Sequence, residues 1–116
     1  MSDEVRAAWN SYAARRMVLE PLRHLHLGAI RNVLDIGSGP DPFSSPLFQN
    51  DTVFLATDVK GYAGVGAKCS ALALPFRDET FDLVLCMRVL QHLREDALAI
   101  RESYRVTRKR GAVIFA

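Results

Sequence analysis

The chain has 116 residues, 49% of them apolar and 24% charged, with a formal net charge of +2. That length allows a single domain with an adequate core, and the composition is that of a globular protein. So small a charge makes no case for nucleic acid, no apolar run approaches the roughly 20 residues of a membrane span, and MSDEVRAAWN lacks the apolar centre of a signal peptide. Cys69 and Cys86 lie in apolar contexts without metal-ligand spacing, so reduced thiols in a cytoplasmic protein are expected, with neither a disulfide nor a bound metal.

In chain order, residues 3–20 read as a helix: Asp3 and Glu4 suit its positive end, and Val5, Trp9 and Tyr12 recur at helical spacing. Pro21 is expected to kink or end it. His24 and His26, two apart, point away from each other on a helix and do not make a metal pair. Four short runs apolar on both faces follow, NVLDI (32–36), TVFLATDV (52–59), FDLVLCM (81–87) and GAVIFA (111–116), which is the pattern of buried parallel strands. Between Asp58 and Ser70 the segment VKGYAGVGAKC is too short and glycine-rich for a helix, so a loop carrying Tyr62 is expected. Leu93, Ala97, Ile100 and Tyr104 form a stripe that predicts one amphipathic helix packed on the sheet, with a basic last turn before Gly111. Alternating strand and helix signals imply a parallel sheet in one domain, residues 1–30 forming an N-terminal helical segment and 31–116 the core.

The turn in NVLDIGSGPDP falls at the carboxyl end of the first strand, where open α/β sheets bind ligands. Gly37 and Gly39 let the backbone approach a ligand closely, and Asp41 with Pro42 suits a helix start that Pro46 keeps short. A pyrophosphate placed there would be repelled by Asp41, and Asp35 adds a second negative charge, so the turn suits a cationic ligand better than a phosphate. A nicotinamide-dependent oxidoreductase would want a third glycine at position 42, where this chain has proline.

VLDIGSGP (33–40) resembles the first motif of class I methyltransferases that use S-adenosylmethionine (SAM), a ligand with a sulfonium and an ammonium group. ATDV (56–59) is similar to the end of their second strand. ALPFRDETFDLVLCMRVLQHL (73–93) resembles the signature around the fourth strand in the type 11 group, and RVTRKRGAVIFA (105–116) resembles the approach to the fifth. The resemblance implies an α/β fold, a three-layer Rossmann-like open sheet, mostly parallel and truncated after the fifth strand where the family normally has seven. It also implies site roles. Gly37, Ser38 and Gly39 would pass beside the methionine part of SAM, and Asp35 would help hold its ammonium group. Asp58 would accept from both ribose hydroxyls, Val59 would lie against the adenine face, and Ser70 would stand where an acid usually accepts from the adenine amino group. Ala71 would offer its amide to the ring, and Cys86 or Met87 a carbonyl to the ammonium group. His92 is the candidate general base, Asp41 takes the place of a common third glycine, and Arg88 stands where an acid is frequent.

The implied activity is SAM-dependent methyl transfer to a small-molecule or lipid-like acceptor. The alternative is a non-catalytic SAM-binding subunit or fragment that needs a partner chain. An apolar last strand left as a sheet edge invites pairing, so a homodimer or a partner chain covering residues 112–116 is expected.

Overall fold

The computed structural model describes residues 2–23, 29–40, 48, 51–87, 89–90 and 94–116; the side chains at 6, 9–11, 13 and 14 are not described. The expectations placed on His24, His26, Asp41, Pro42, Pro46, Arg88, His92, Leu93 and the Trp9 side chain lie outside the described residues.

Among the described residues five strands form one all-parallel sheet: β1 (Asn32–Ile36), β2 (Val53–Asp58), β3 (Ala67–Lys68), β4 (Phe81–Cys86) and β5 (Thr107–Phe115), in the order β3-β2-β1-β4-β5. Val33, Leu34, Leu83, Val84 and Leu85 are fully buried, as continuous apolar runs in the two central strands require. Alternate residues feed two cores. Leu34, Ile36, Val84 and Cys86 pack on one face with Ala99 and Val106 of helix α3 (Asp96–Val106), whereas Val33, Leu83, Leu85 and Ile114 pack on the other with Val18, Met17 and Leu22 of the N-terminal segment. Each fully buried aliphatic side chain contributes about 1.5–3 kcal/mol.

The N-terminal helix runs past Pro21 but not as one regular α-helix. α1 covers Asp3–Ala14, a π-helical turn spans Arg15–Leu19, and α2 (Glu20–Arg23) contains Pro21. Pro21 has no N–H for the carbonyl four residues back and its ring crowds that carbonyl, so the widened turn just before it makes the room an α-helix lacks.

Helix α3 presents a different face from the one its apolar spacing predicts. Ala99, Ser103 and Val106 are buried, Ile100 is half-buried, and Ala97 and Tyr104 are exposed. A serine in the contact stripe hides the periodicity: the Ser103 hydroxyl donates to the Ala99 carbonyl (2.8 Å), so it is satisfied within the helix, and two small residues let the helix approach the sheet.

The basic run is not a helical last turn either. Only Arg105 belongs to α3, and Arg108, Lys109 and Arg110 open β5. There the pairing jumps from Phe81↔Thr107 to Leu83↔Ala112, so two steps along β4 face five along β5, a bulge with Arg110 at φ 68°. Gly111 is required in it, because a Cβ would lie 2.7 Å from the Asp82 carbonyl oxygen and 2.9 Å from that of Arg108. The segment between β2 and β3 is irregular, as expected, and the two-residue β3 is an addition.

Candidate functional site

Parallel register brings Ile36 level with Thr57 and Cys86, so the carboxyl ends of β1, β2 and β4 open side by side. Order reverses at β1: the chain goes first to β2 on one side and later to β4 on the other, which makes this end the topological switch point.

The turn after β1 is left-handed at both glycines, with φ 65° at Gly37 and 70° at Gly39. A Cβ on Gly37 would stand 2.3 Å from Cγ2 of Val89, so the segment after β4 closes directly over the turn. Two bonds to β2 fix the turn. Ser38 donates its N–H to the Thr57 carbonyl (2.9 Å), and Gly39 donates its N–H to Asp58 Oδ2 (3.0 Å). The other Asp58 oxygen, Oδ1, accepts from the Lys60 N–H at 3.0 Å. Each carboxylate oxygen keeps acceptor capacity for a ligand hydroxyl. The Thr57 hydroxyl donates to the Asp35 carbonyl (2.9 Å), tying β2 to β1 at the level of the site.

Asp35 is only 5% exposed, and no cation pairs with it among the described residues. Burial, and secondarily the charge of Asp58, pushes its carboxyl up to about 7. Cys86, fully buried beside it, has its thiol pushed up to about 11 by burial first and by Asp35 second. Cys69, partly exposed, has its thiol raised, chiefly by burial. The local chemistry therefore rewards a positive charge.

Around this centre, Val59 is 60% exposed beside Asp58, open for a flat group to cover. Ala71 and Met87 are buried. Ser70 opens a tight turn: its hydroxyl oxygen accepts from the Leu72 N–H (3.1 Å) and its carbonyl from that of Ala73 (3.2 Å), leaving the hydroxyl with its proton and one lone pair. The Cys86 carbonyl accepts from the Ala116 N–H (3.2 Å), which leaves Met87 the freer carbonyl of the two among the described residues. Sequence reasoning missed Thr57 and Val89. A threonine before the strand-ending acid is a weak signal, and nothing in the spacing of Val89 shows that it meets Gly37.

An open parallel sheet with a glycine turn and two carboxylates at its switch point is a Rossmann-like arrangement. Residues 34–115 match the model of the methyltransferase domain family, and the chain belongs to that family. It is 30% identical over 94 residues to a demethylmenaquinone methyltransferase of Streptomyces griseus, a match that covers 72% of this chain and 41% of that protein. Among solved structures, the YcgJ protein of Bacillus subtilis is similar at a TM-score of 0.70 and 22% identity, covering 87% of this chain and 50% of the other. A SAM-dependent methyltransferase of Thermotoga maritima is similar at 0.65 and 25%, covering 96% and 56%. The chain thus spans about two-fifths of the length of the curated relative and about half that of the solved ones.

Proposed function

We propose that this chain binds SAM and takes part in methyl transfer to a small-molecule or lipid-like acceptor. The observation that carries the reading is the pair of carboxylates flanking the left-handed glycine turn, Asp35 buried with no cation beside it among the described residues and Asp58 already oriented by two backbone N–H groups. When bound, SAM supplies an activated methyl group that an acceptor displaces in line, so the protein's part is proximity and orientation. Asp35 and the Met87 carbonyl would hold the ammonium group, and Gly37, Ser38 and Gly39 would lie along the methionine part. Asp58 would take the ribose hydroxyls, Val59 would face the adenine, and Ser70 and Ala71 would meet its edge. His92 would serve as general base for an acceptor that must lose a proton. Metal ligands form no part of this reading. The free thiols accord with a cytoplasmic location, and no helix among the described residues is long and apolar enough to cross a membrane. A second copy or a partner chain would cover the apolar edge of β5 at residues 112–116.

Calorimetric titration with SAM and with S-adenosylhomocysteine tests the reading, alongside Asp35→Asn and Asp58→Ala. Saturable binding to the unaltered protein, weakened in both variants, is expected. Asp35→Asn is the more telling variant, because a neutral isostere replaces a buried acid that no cation pairs with among the described residues, so the fold is expected to survive. Absence of binding by either ligand, or undiminished binding in Asp35→Asn, overturns the assignment.

A further inference from the structure

Residues 70–78 lie between β3 and β4 without regular structure, so the backbone groups that the Ser70 turn does not satisfy need partners from elsewhere. Two side chains of α3 provide them. The Arg105 guanidinium donates from Nη2 to the Leu74 carbonyl (2.9 Å) and from Nη1 to the Phe76 carbonyl (2.7 Å) and Asp78 Oδ1 (2.9 Å). Glu102 Oε1 accepts from the Leu74 N–H at 2.8 Å. The two side chains are locked side-on to each other, Arg105 Nε to Glu102 Oε2 at 2.5 Å and Nη2 to Oε1 at 3.0 Å. They are 31% and 18% exposed, so water competes only partly for these bonds. The Arg105 backbone adds to the clamp: its carbonyl accepts from Glu79 N–H (2.9 Å), just before β4.

Ser70 and Ala71 stand at the near end of the same loop, and the buried side chains of Ala71 and Leu74 pack in the core that Ala99 and Val106 of α3 complete. We propose that Arg105 and Glu102 are positioning residues for base recognition: by pinning Leu74 and Phe76 they fix where Ser70 and Ala71 meet the edge of the cofactor's purine. The inference rests on the SAM-binding reading above. It gives Arg105 a role beyond that of a cation at a helix end. Lysine cannot replace it, because an ammonium lacks the planar fork that reaches two carbonyls and two carboxylates together.

The test measures binding of S-adenosylhomocysteine and of its deaminated counterpart, S-inosylhomocysteine, to the unaltered protein, to Arg105→Lys and to Glu102→Gln, with thermal unfolding of each as control. The unaltered protein should prefer the adenine compound. Arg105→Lys should weaken S-adenosylhomocysteine by about tenfold or more while the preference for adenine falls towards one. Glu102→Gln, which keeps an acceptor for the Leu74 N–H, should fall in between, and it decides the matter should Arg105→Lys not fold. A variant that is weakened but keeps its preference, or that binds both compounds like the unaltered protein, overturns the positioning role and leaves the clamp purely structural. Lack of preference in the unaltered protein overturns it as well. Lack of any binding by the unaltered protein instead overturns the cofactor assignment, and this inference with it.

Discussion

Replacing Asp35 by asparagine should make the ligand-free protein more stable, increasingly so as pH rises. In the folded chain the carboxyl is pushed from 3.8 to about 7 by burial and by Asp58, so between those values the native state holds a proton that the unfolded chain has released. Stability then falls as pH rises through this window, is fully retained below about pH 4 and levels off above about pH 7. A displacement of about three pH units, at 1.36 kcal/mol each, amounts to about 4 kcal/mol at the plateau. Asparagine keeps the shape and cannot ionise, so it escapes this loss. Urea unfolding of both proteins at pH 5 and pH 8 reads it directly, the advantage of Asp35→Asn growing by about 2–3 kcal/mol between the two. An advantage that stays constant with pH, or a variant less stable than its parent at pH 8, would refute the claim that a buried, uncompensated carboxylate sits at the end of β1.

Binding of S-adenosylhomocysteine should weaken by up to about tenfold for each pH unit below about 7, because the cation needs the ionised form of Asp35; calorimetry between pH 5.5 and 8 checks this, and Asp35→Asn should abolish the dependence. Gly37→Ala should cost about 2 kcal/mol or more in a denaturant titration, since a left-handed residue with a side chain costs about 1–2 kcal/mol and the new Cβ meets Val89 at 2.3 Å. Asp82→Ala should cost about 2 kcal/mol, because one carboxylate oxygen accepts from the Arg31 and Asn32 N–H groups, each at 2.9 Å, at the start of β1. Cys86, buried and with its thiol pushed up to about 11, should resist iodoacetamide at pH 8 until the protein unfolds, as followed by mass spectrometry.

The strands that build the site were legible because they are buried on both faces, and NVLDI is β1 to the residue. The glycine turn was legible for another reason, since both of its left-handed positions, 37 and 39, favour glycine. Helix α3 misled for a physical reason: its contact face is made of Ala99, Ser103 and Val106, small or nominally polar, while the larger Tyr104 points to solvent. The start of β5 was hidden by charge, since Arg108, Lys109 and Arg110 belong to a bulge that no alternation rule describes. Nor could spacing reveal that Arg105 reaches carbonyls 29 and 31 positions away, because long-range side-chain bonds to a loop leave no periodic trace.

Asp58 serves two masters, since the oxygens proposed to meet a ribose also hold the N–H groups of Gly39 and Lys60. A descendant of this chain that had ceased to methylate anything would still be under selection to keep the aspartate, merely to hold its turn closed. Retention of that acid among diverged copies is therefore poor testimony to activity. Asp35 is the opposite case, a residue costly to the empty fold, and drift to asparagine there is the change by which a copy relieved of its ligand would betray the fact.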